Sequence, residues 1–179
     1  VNAAENAVSS KVPKVEWHRT YNGSGEESHP HYVIETSEGG FLMVGETGFI
    51  DDKTAKIFVV KTDSLGKLKW KQEFGNPGYN LGNCVVETAD NNYVVAGCLD
   101  YDAALLKLDV TTGKILWKRT WNLGTEDAFE GVDNTPDGGI IATGYRDGLA
   151  ENTFLNWGKG VLIKTDRKGN TEWKRDISS

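Results

Sequence analysis

The sequence is short of the residues that mark several common protein classes. Its two cysteines, Cys84 and Cys98, are too few for a disulfide framework and lack the spacing of a metal site. No apolar run approaches the roughly 18 residues of a membrane-spanning helix. Lys and Arg are scattered and the net charge is −6, whereas phosphate binding needs clustered basic residues. We therefore expect no membrane insertion and no nucleic-acid partner.

Tryptophan and glycine are abundant, and one pattern that contains both is repeated. It occurs as KTDSLGKLKWKQEF (61–74), LDVTTGKILWKRTW (108–121) and KTDRKGNTEWKRDI (164–177). Each copy carries an aspartate, a glycine and a tryptophan at aligned positions: Asp63, Gly66 and Trp70; Asp109, Gly113 and Trp117; Asp166, Gly169 and Trp173. Trp17 begins the series, which predicts an N-terminal extension (1–14) and a single domain (15–179) with units at about 17–69, 70–116 and 117–173.

Each unit has the pattern of four short strands and no convincing helix. Residues alternate between large and polar, and the tripeptides EGG, DNN and DGG supply residues that tolerate positive φ in a hairpin turn. The predicted fold is all-β: four-stranded antiparallel blades of the β-propeller type, in three repeats plus a surplus strand. The tryptophan hairpin is expected to join one sheet to the next. Its aspartate would bond to turn amides, its glycine would be left-handed, and its tryptophan would pack between sheets.

The stretch LDVTTGKILW (108–117) resembles the tryptophan-docking repeat of quinoprotein-type (PQQ-like) propellers. TPDGG (135–139) is similar to the blade repeats of secreted bacterial and archaeal propeller proteins. The resemblance covers Val15 to Ile177 and implies an architecture, not a chemistry. Because the chain lacks the adjacent Cys-Cys pair of the quinone-binding dehydrogenases, neither their activity nor their cofactor is carried over. The first residue, Val1, is not methionine, so either a leader has been removed or the chain is a piece of something longer. With the resemblance, the first alternative predicts an extracellular or periplasmic location.

Three blades are too few for a ring, since propellers have about four to eight. The predicted sheets leave open edges that can pair with another chain. We expect self-association or a partner that completes the ring. A truncated or genuinely open array is the alternative.

The connections at the two ends of the predicted sheets differ in character. The turns at EGG, DNN and DGG and at SLGK, TTGK and RKGN share one end and resemble one another. The opposite end carries loops that vary in length and sequence, at 22–31, 47–56, 75–83, 99–102, 122–131 and 146–160. Variable loops on a rigid scaffold usually carry binding, so we expect any functional surface at this variable end.

The variable end is rich in carboxylates, which suit either a Ca²⁺ site or a solvated rim. The acidic residues are Glu26, Glu27, Asp51, Asp52, Asp100, Asp102, Glu126, Asp127, Asp147 and Glu151. No calcium-loop motif decides between the two interpretations. The weak metal candidates are Asp51 and Asp52, together with His29 and His31 of the segment SHPH.

A glycan site is predicted around the longest variable loop, because aromatic rings beside amides and carboxylates suit sugars. Its candidate residues are Trp157, Phe154, Asn156, Tyr101, Asp102 and Asp147. The alternatives for Trp157 are packing within the blade or against another subunit. Cys84 and Cys98 flank a predicted hairpin, so a cross-strand bridge is a second open question.

These patterns favour a non-catalytic binding or scaffolding module that presents its acidic variable end to a protein or a glycan. One alternative is a segment of a propeller enzyme, either polysaccharide-degrading or quinoprotein-like. Another is a structural subunit of an assembly closed through its open sheet edges. The sequence contains no G-x-S-x-G motif and no cysteine beside a histidine, so enzyme activity is the less favoured expectation.

Overall fold

The computed structural model describes residues 14–50, 53–147 and 158–177, and within them the chain is all-β. Three four-stranded antiparallel sheets follow one another along the chain, each a simple meander. Sheet 1 contains β1 (Ser28–Glu35), β2 (Phe41–Thr47), β3 (Ala55–Thr62) and β4 (Leu68–Gly78). Sheet 2 contains β5 (Asn80–Glu87), β6 (Tyr93–Leu99), β7 (Asp102–Leu108) and β8 (Ile115–Trp121). Sheet 3 contains β9 (Ala128–Asn134), β10 (Ile140–Arg146), β11 (Lys159–Thr165) and β12 (Thr171–Ile177). These open, propeller-type blades confirm the predicted fold class.

Sheet 2 is the centre of the molecule, with sheets 1 and 3 packed on its two faces. The first strands of the sheets contact one another, β1 with β5 and β5 with β9, so they line a common axis. All seven residues of β6 are buried, because both faces of that strand are covered. The core between sheets 1 and 2 contains Leu42, Val44, Ile57, Val59, Tyr93, Val95 and Leu106. The core between sheets 2 and 3 contains Val94, Ala96, Leu105, Phe129, Ile140, Val161 and Ile163.

The repeated hairpin lies inside a sheet, so the prediction that it joins two sheets was wrong. In sheet 1, β3 and β4 pair through Lys61 opposite Trp70. The tryptophan strand is therefore the last strand of its own sheet, at the outer edge. The connection from sheet 1 to sheet 2 is the single residue Tyr79 between β4 and β5. Alternating residues indicate a strand but do not show which neighbour it pairs with.

The Asp–Gly turn has the predicted internal structure in all three copies. Asp109 accepts hydrogen bonds from the amides of Thr111 and Thr112, and from the Thr112 hydroxyl. These bonds, the Thr112 hydroxyl first, lower the pKa of Asp109. The equivalent acceptors are Asp63 and Asp166, and the three left-handed glycines are Gly66, Gly113 and Gly169.

The predicted packing of tryptophan between sheets is also confirmed. Trp70 of sheet 1 reaches sheet 2, where its Nε1 donates to the Val110 carbonyl at 3.0 Å. Trp117 of sheet 2 packs against the core shared with sheet 3. The surplus element of the repeat count is the segment 14–21 with Trp17, which lies against sheet 1 without joining it as a strand.

The turns at EGG, DNN and DGG have a role that the sequence pattern did not show. Their acidic residue binds the lysine one residue before the end of the third strand of the same sheet. The pairs are Lys61–Glu38 at 3.4 Å, Lys107–Asp90 at 2.7 Å and Lys164–Asp137 at 2.9 Å. Because these lysine side chains are nearly buried, the carboxylates offset the cost of removing the charge from water.

The two cysteines are free and buried, so the structure shows no cross-strand bridge. Cys84 lies opposite Ala96, whereas Cys98 lies opposite Leu81, which places the two thiols at different levels of the β5–β6 ladder. Burial raises the pKa of the Cys98 thiol. Among the described residues, no helix has the length and apolar character that a membrane crossing requires.

Candidate binding site at the variable end

The loop tips at the variable end have constrained backbone conformations. Four of the five non-glycine residues with positive φ in the described chain lie there: Lys53, Asp100, Tyr101 and Asp147. Such backbone costs free energy and persists only where the surrounding structure enforces it. Strained tips of this kind cluster at ligand sites, so they mark this end as a candidate site.

Two buried polar side chains hold the tips at Asp100–Tyr101 and at Asp147. Asn80, at the start of β5, accepts a hydrogen bond from the Asp100 amide at 3.0 Å and donates to the Ala55 carbonyl at 2.8 Å. Asp127, at the equivalent position before β9, accepts from the Asp147 amide at 3.0 Å. The tips at Asp100 and Asp147 are thus each held by a residue at the start of the first strand of their own sheet or directly before it.

Asp127 corrects one part of the predicted acidic rim. Its side chain is fully buried, and it also accepts hydrogen bonds from the amides of Leu123 and Gly124. It is a structural acceptor for loop 122–127 and not an exposed ligand group. From sequence alone, an acidic residue in a polar loop is predicted to be exposed to solvent. Its burial could not be predicted, because its hydrogen-bond partners are backbone amides, which every residue type other than proline has.

Three tyrosines meet beside the tips, in what we call the tyrosine cluster: Tyr79, Tyr101 and Tyr145. The rings of Tyr79 and Tyr101 stack with centroids 5.0 Å apart and planes 11° from parallel. The Tyr79 hydroxyl donates to the Glu126 carboxylate and also bonds to Tyr145. Burial, reinforced by Glu126, raises the pKa of Tyr79, so the phenol stays a proton donor.

Polar groups that were predicted as ligands surround the cluster. Asp102 accepts a hydrogen bond from the Asn122 amide at 2.9 Å. The Asp147 carboxylate pairs with Arg146 at 2.7 Å, and the ammonium of Lys53 lies 5.9 Å from the Tyr101 ring centroid. The structure therefore brings Tyr101 and Asp102 to one loop tip, with Asp147 on the next tip.

A groove opens on the other side of the Asp100–Tyr101 tip, between sheets 1 and 2. Its volume is about 340 Å³, within the usual range of small-ligand sites. Its lining includes Glu73, Phe74, Asn76, Asp100 and Lys118. The groove combines an aromatic ring with an amide and two carboxylates next to the tyrosine cluster.

The first strands of the three sheets carry a second polar cluster, on the axis. Each strand has a β-bulge at the same level, and the residue passed over by the ladder is His31 in β1, Asn83 in β5 and Glu130 in β9. His31 Nδ1 lies 3.2 Å from Asn83 Oδ1, and Asn83 Nδ2 lies 3.1 Å from Glu130 Oε1. Bulges re-aim side chains and are common beside functional sites. We call these residues the axial triad.

The hydrogen bonds of the axial triad favour a charged His31. The Asn83 amide nitrogen also donates to the Phe129 carbonyl at 3.0 Å, which turns the amide oxygen toward His31. His31 Nε2 lies 3.1 Å from the buried carboxylate of Glu46. No other group in the described residues donates a hydrogen bond to that Glu46 oxygen. The Glu46 contact raises the pKa of His31.

The histidines do not assemble a metal site with the described residues. His29 instead pairs with Glu27 at 2.6 Å. No group of three or more His, Cys, Asp or Glu within 14–50, 53–147 and 158–177 has a geometry that could hold a metal ion. The other metal candidates, Asp51 and Asp52, and the glycan candidates Phe154, Asn156 and Trp157 lie outside the described residues, as does Glu151.

Comparison with known proteins adds no identity to this geometry. No protein-family model matches the chain, and no curated protein matches it significantly. The resemblance to tryptophan-docking propellers therefore stays a prediction, and function has to be argued from the site itself.

Sequence reasoning missed the axial triad and most of the tyrosine cluster. The triad leaves a signal in the aligned repeats, because His31, Asn83 and Glu130 each lie two residues before an aligned valine. A polar residue at that position in every copy interrupts the strand alternation and indicates a bulge. Tyr79 and Tyr145 leave no comparable signal, since they meet only when sheets 2 and 3 pack together.

Proposed function

We propose that this protein is a non-catalytic binding module that holds a glycan at its variable end. The observation that carries the proposal is the stacked Tyr79–Tyr101 pair on a strained, pinned loop tip. Stacked aromatic rings give a flat apolar platform with polar hydroxyls at its border. A sugar ring has matching apolar faces and a border of hydroxyl groups.

The polar groups around the platform suit hydroxyl recognition. Asp102 and Asn122 are hydrogen-bonded to each other, so their remaining hydrogen-bond donors and acceptors have fixed directions. Glu126 is oriented by Tyr79 in the same way. Preorganised donors and acceptors on a rigid scaffold lower the ordering cost of binding. The surplus of carboxylates also disfavours anionic glycans and favours neutral or amino-bearing ones.

A protein partner is the second candidate, because the open Trp173-bearing side of sheet 3 exposes apolar side chains. That surface is separate from the loop tips and is treated below. The enzyme alternative draws less support. Asp102 is bound to the neutral Asn122 amide and Asp147 to the Arg146 guanidinium, an arrangement that suits orientation of a ligand better than transfer of a proton.

The test is glycan-array screening of the intact chain with neutral, amino-bearing and anionic oligosaccharides, followed by calorimetry with the best ligand. We expect Tyr101→Ala to weaken binding about tenfold, which corresponds to about 1.4 kcal/mol. The matched control is Tyr32→Ala, which removes an exposed tyrosine of β1 and should leave affinity unchanged.

Two results would contradict the proposal. If neither neutral nor amino-bearing glycans bind, the ligand class is wrong. If Tyr101→Ala and Tyr32→Ala change the affinity equally, the tyrosine cluster is not the site. Release of shorter sugars during the assay would instead favour the enzyme alternative.

A further inference from the structure

Neighbouring sheets meet through one contact that is made at both interfaces. Trp70 of sheet 1 lies over Gly113 of sheet 2, where an added Cβ atom would be 2.6 Å from the indole ring. Trp117 of sheet 2 lies over Gly169 of sheet 3, where the corresponding distance is 3.1 Å. We call the side of a sheet that presents the tryptophan its Trp face, and the side that receives it its turn face. Each interface thus joins a Trp face to a turn face.

The turn face of sheet 1 is occupied by the chain's own segment 14–21. Trp17 lies over Gly66, where an added Cβ atom would be 2.7 Å from the indole ring. The Trp17 ring also packs on Phe41, with centroids 5.9 Å apart. Tyr21 donates its hydroxyl to the Gly66 carbonyl. The segment therefore reproduces the contact that an outermost strand makes in the other two interfaces.

This segment covers only the outer half of the turn face of sheet 1. Val33 in β1 is 57% exposed, whereas the equivalent Val85 in β5, under sheet 1, is 2% exposed. A pocket of about 50 Å³ also remains on this face, lined by Tyr21, Ser28, Pro30, Met43, Val44, Gly45, Phe58 and Val60. No segment within the described residues covers the half nearer the axis, where the apolar Val33 is exposed.

At the other end of the stack, the Trp face of sheet 3 carries the contact residues, and no glycine turn within the described residues receives them. Trp173 is 37% exposed and Ile177 is 55% exposed. Leu162 and Ile141 are partly buried on the same face. Their equivalents in sheet 2, Leu105 and Val94, are completely buried under sheet 3. The Trp face of sheet 3 thus has the side chains of the repeated contact, and they are more exposed than in sheet 2.

We propose that the Trp face of sheet 3 docks on the turn face of sheet 1 of a second copy of this chain. Trp173 would then take the place of Trp17 over Gly66. A second copy is the occupant because its sheet 1 offers the same glycine turn, followed by an exposed apolar half that the segment 14–21 leaves bare. Two copies give six sheets, within the range of closed propellers, and make two identical interfaces related by a twofold axis.

The segment 14–21 controls this association, because Trp17 and the incoming Trp173 compete for Gly66. Two polar residues on the Trp face of sheet 3 weaken the contact further. Asp133 and Thr143 stand where sheet 2 has Val86 and Ala96, and burying them costs desolvation. The dimer is therefore reversible, and its strength is set by the fraction of chains in which Trp17 has left its site.

The first experiment is sedimentation velocity of the intact chain and of Trp17→Ala over a wide range of protein concentrations. We expect monomer and dimer in exchange, with a dimer dissociation constant at least about tenfold lower for Trp17→Ala, because the competing contact is gone. Trp173→Ala in the Trp17→Ala background should return the protein to monomer. Circular dichroism melting confirms that each variant is folded.

A second variant keeps the test decisive if Trp17→Ala does not fold. Asp133→Val with Thr143→Ala leaves the segment 14–21 unchanged and should strengthen the dimer by restoring an apolar face. Monomers at every concentration in both backgrounds would overturn the proposal, as would a dimer that survives Trp173→Ala. Oligomers larger than a dimer would overturn closure by two copies. None of these outcomes depends on whether the variable end binds a glycan.

Discussion

Equivalent positions of the repeat carry the same residue at the outer edge of this molecule and different residues at its axis. At the outer edge, sheets 1 and 2 present the same side chain, Trp70 and Trp117, to the equivalent glycine turn of the next sheet. At the axis, the equivalent bulge positions carry His31, Asn83 and Glu130, three different chemistries. Identical residues build the stack, while the positions that line the axis are free to differ.

The largest effect expected from this difference is at the outer edge. Trp117→Ala should lower the free energy of unfolding by about 2–4 kcal/mol, since it removes a large, half-buried ring and leaves a cavity in the core between sheets 2 and 3. Urea denaturation followed by circular dichroism measures the change.

The matched control is Trp173→Ala, measured at a protein concentration at which the chain is monomeric, since Trp173 has the same repeat position but no further sheet beyond it within the described residues. We expect a loss below about 1 kcal/mol there, because an exposed side chain contributes little packing. Equal losses at Trp117 and Trp173 would mean that the tryptophan stabilises its own hairpin and does not join the sheets.

The next effect concerns the glycine that receives the ring. Gly113→Ala should cost about 1–3 kcal/mol, because a Cβ atom strains the left-handed backbone and would lie 2.6 Å from the Trp70 ring. Thermal melting gives the comparison with Gly39→Ala. Gly39 has a similar φ of +78° but nothing within 4 Å of an added Cβ atom.

The difference in stability loss between Gly113→Ala and Gly39→Ala separates the effect of the Trp70 contact from the effect of the left-handed backbone. A loss at Gly113 that is no larger than the loss at Gly39 would show that the Trp70 ring moves aside without cost. The tryptophan would then be a filler of the interface and would not determine how the sheets dock.

The repeat made most of the scaffold predictable, because its signals are local. Asp109, Gly113 and Trp117 fall within one hairpin, so their roles follow from turn chemistry and residue size. The boundary between sheets was wrong by one strand, because hydrogen-bond pairing is not local. Between β4 and β5 the chain turns to a new sheet at a single residue, Tyr79, which has no composition that marks a boundary.

The candidate site was less predictable for the same physical reason. Tyr101 and Asp102 could be placed on a variable loop, and the structure puts both on one tip. Asp127 was misplaced on the rim, because its burial depends on backbone amides that converge only in the folded loop. The partners of Tyr101 in the cluster are Tyr79, which connects sheets 1 and 2, and Tyr145 in β10 of sheet 3, and their meeting is set by packing between sheets.

The smallest effect should be found at the axis, where His31 is matched to its neighbours in the charged form. Its folded-state pKa is raised by contact with Glu46, with Asn83 and Glu130 facing it as well. The stabilisation is therefore complete below the ordinary histidine pKa of about 6.5 and is lost as pH rises through the raised pKa. Because the pair is partly solvated, we expect at most about 1 kcal/mol.

The measurement is urea denaturation at a pH below and a pH above this window, for the wild type and for His31→Gln. The wild type should lose more stability on raising the pH than His31→Gln, since the neutral amide no longer titrates. His18→Gln removes an exposed histidine away from the axis and should keep the wild-type slope. If His31→Gln also keeps that slope, the charge on His31 does not contribute to joining the first strands. The axial triad would then hold the sheets together by shape and neutral hydrogen bonds alone.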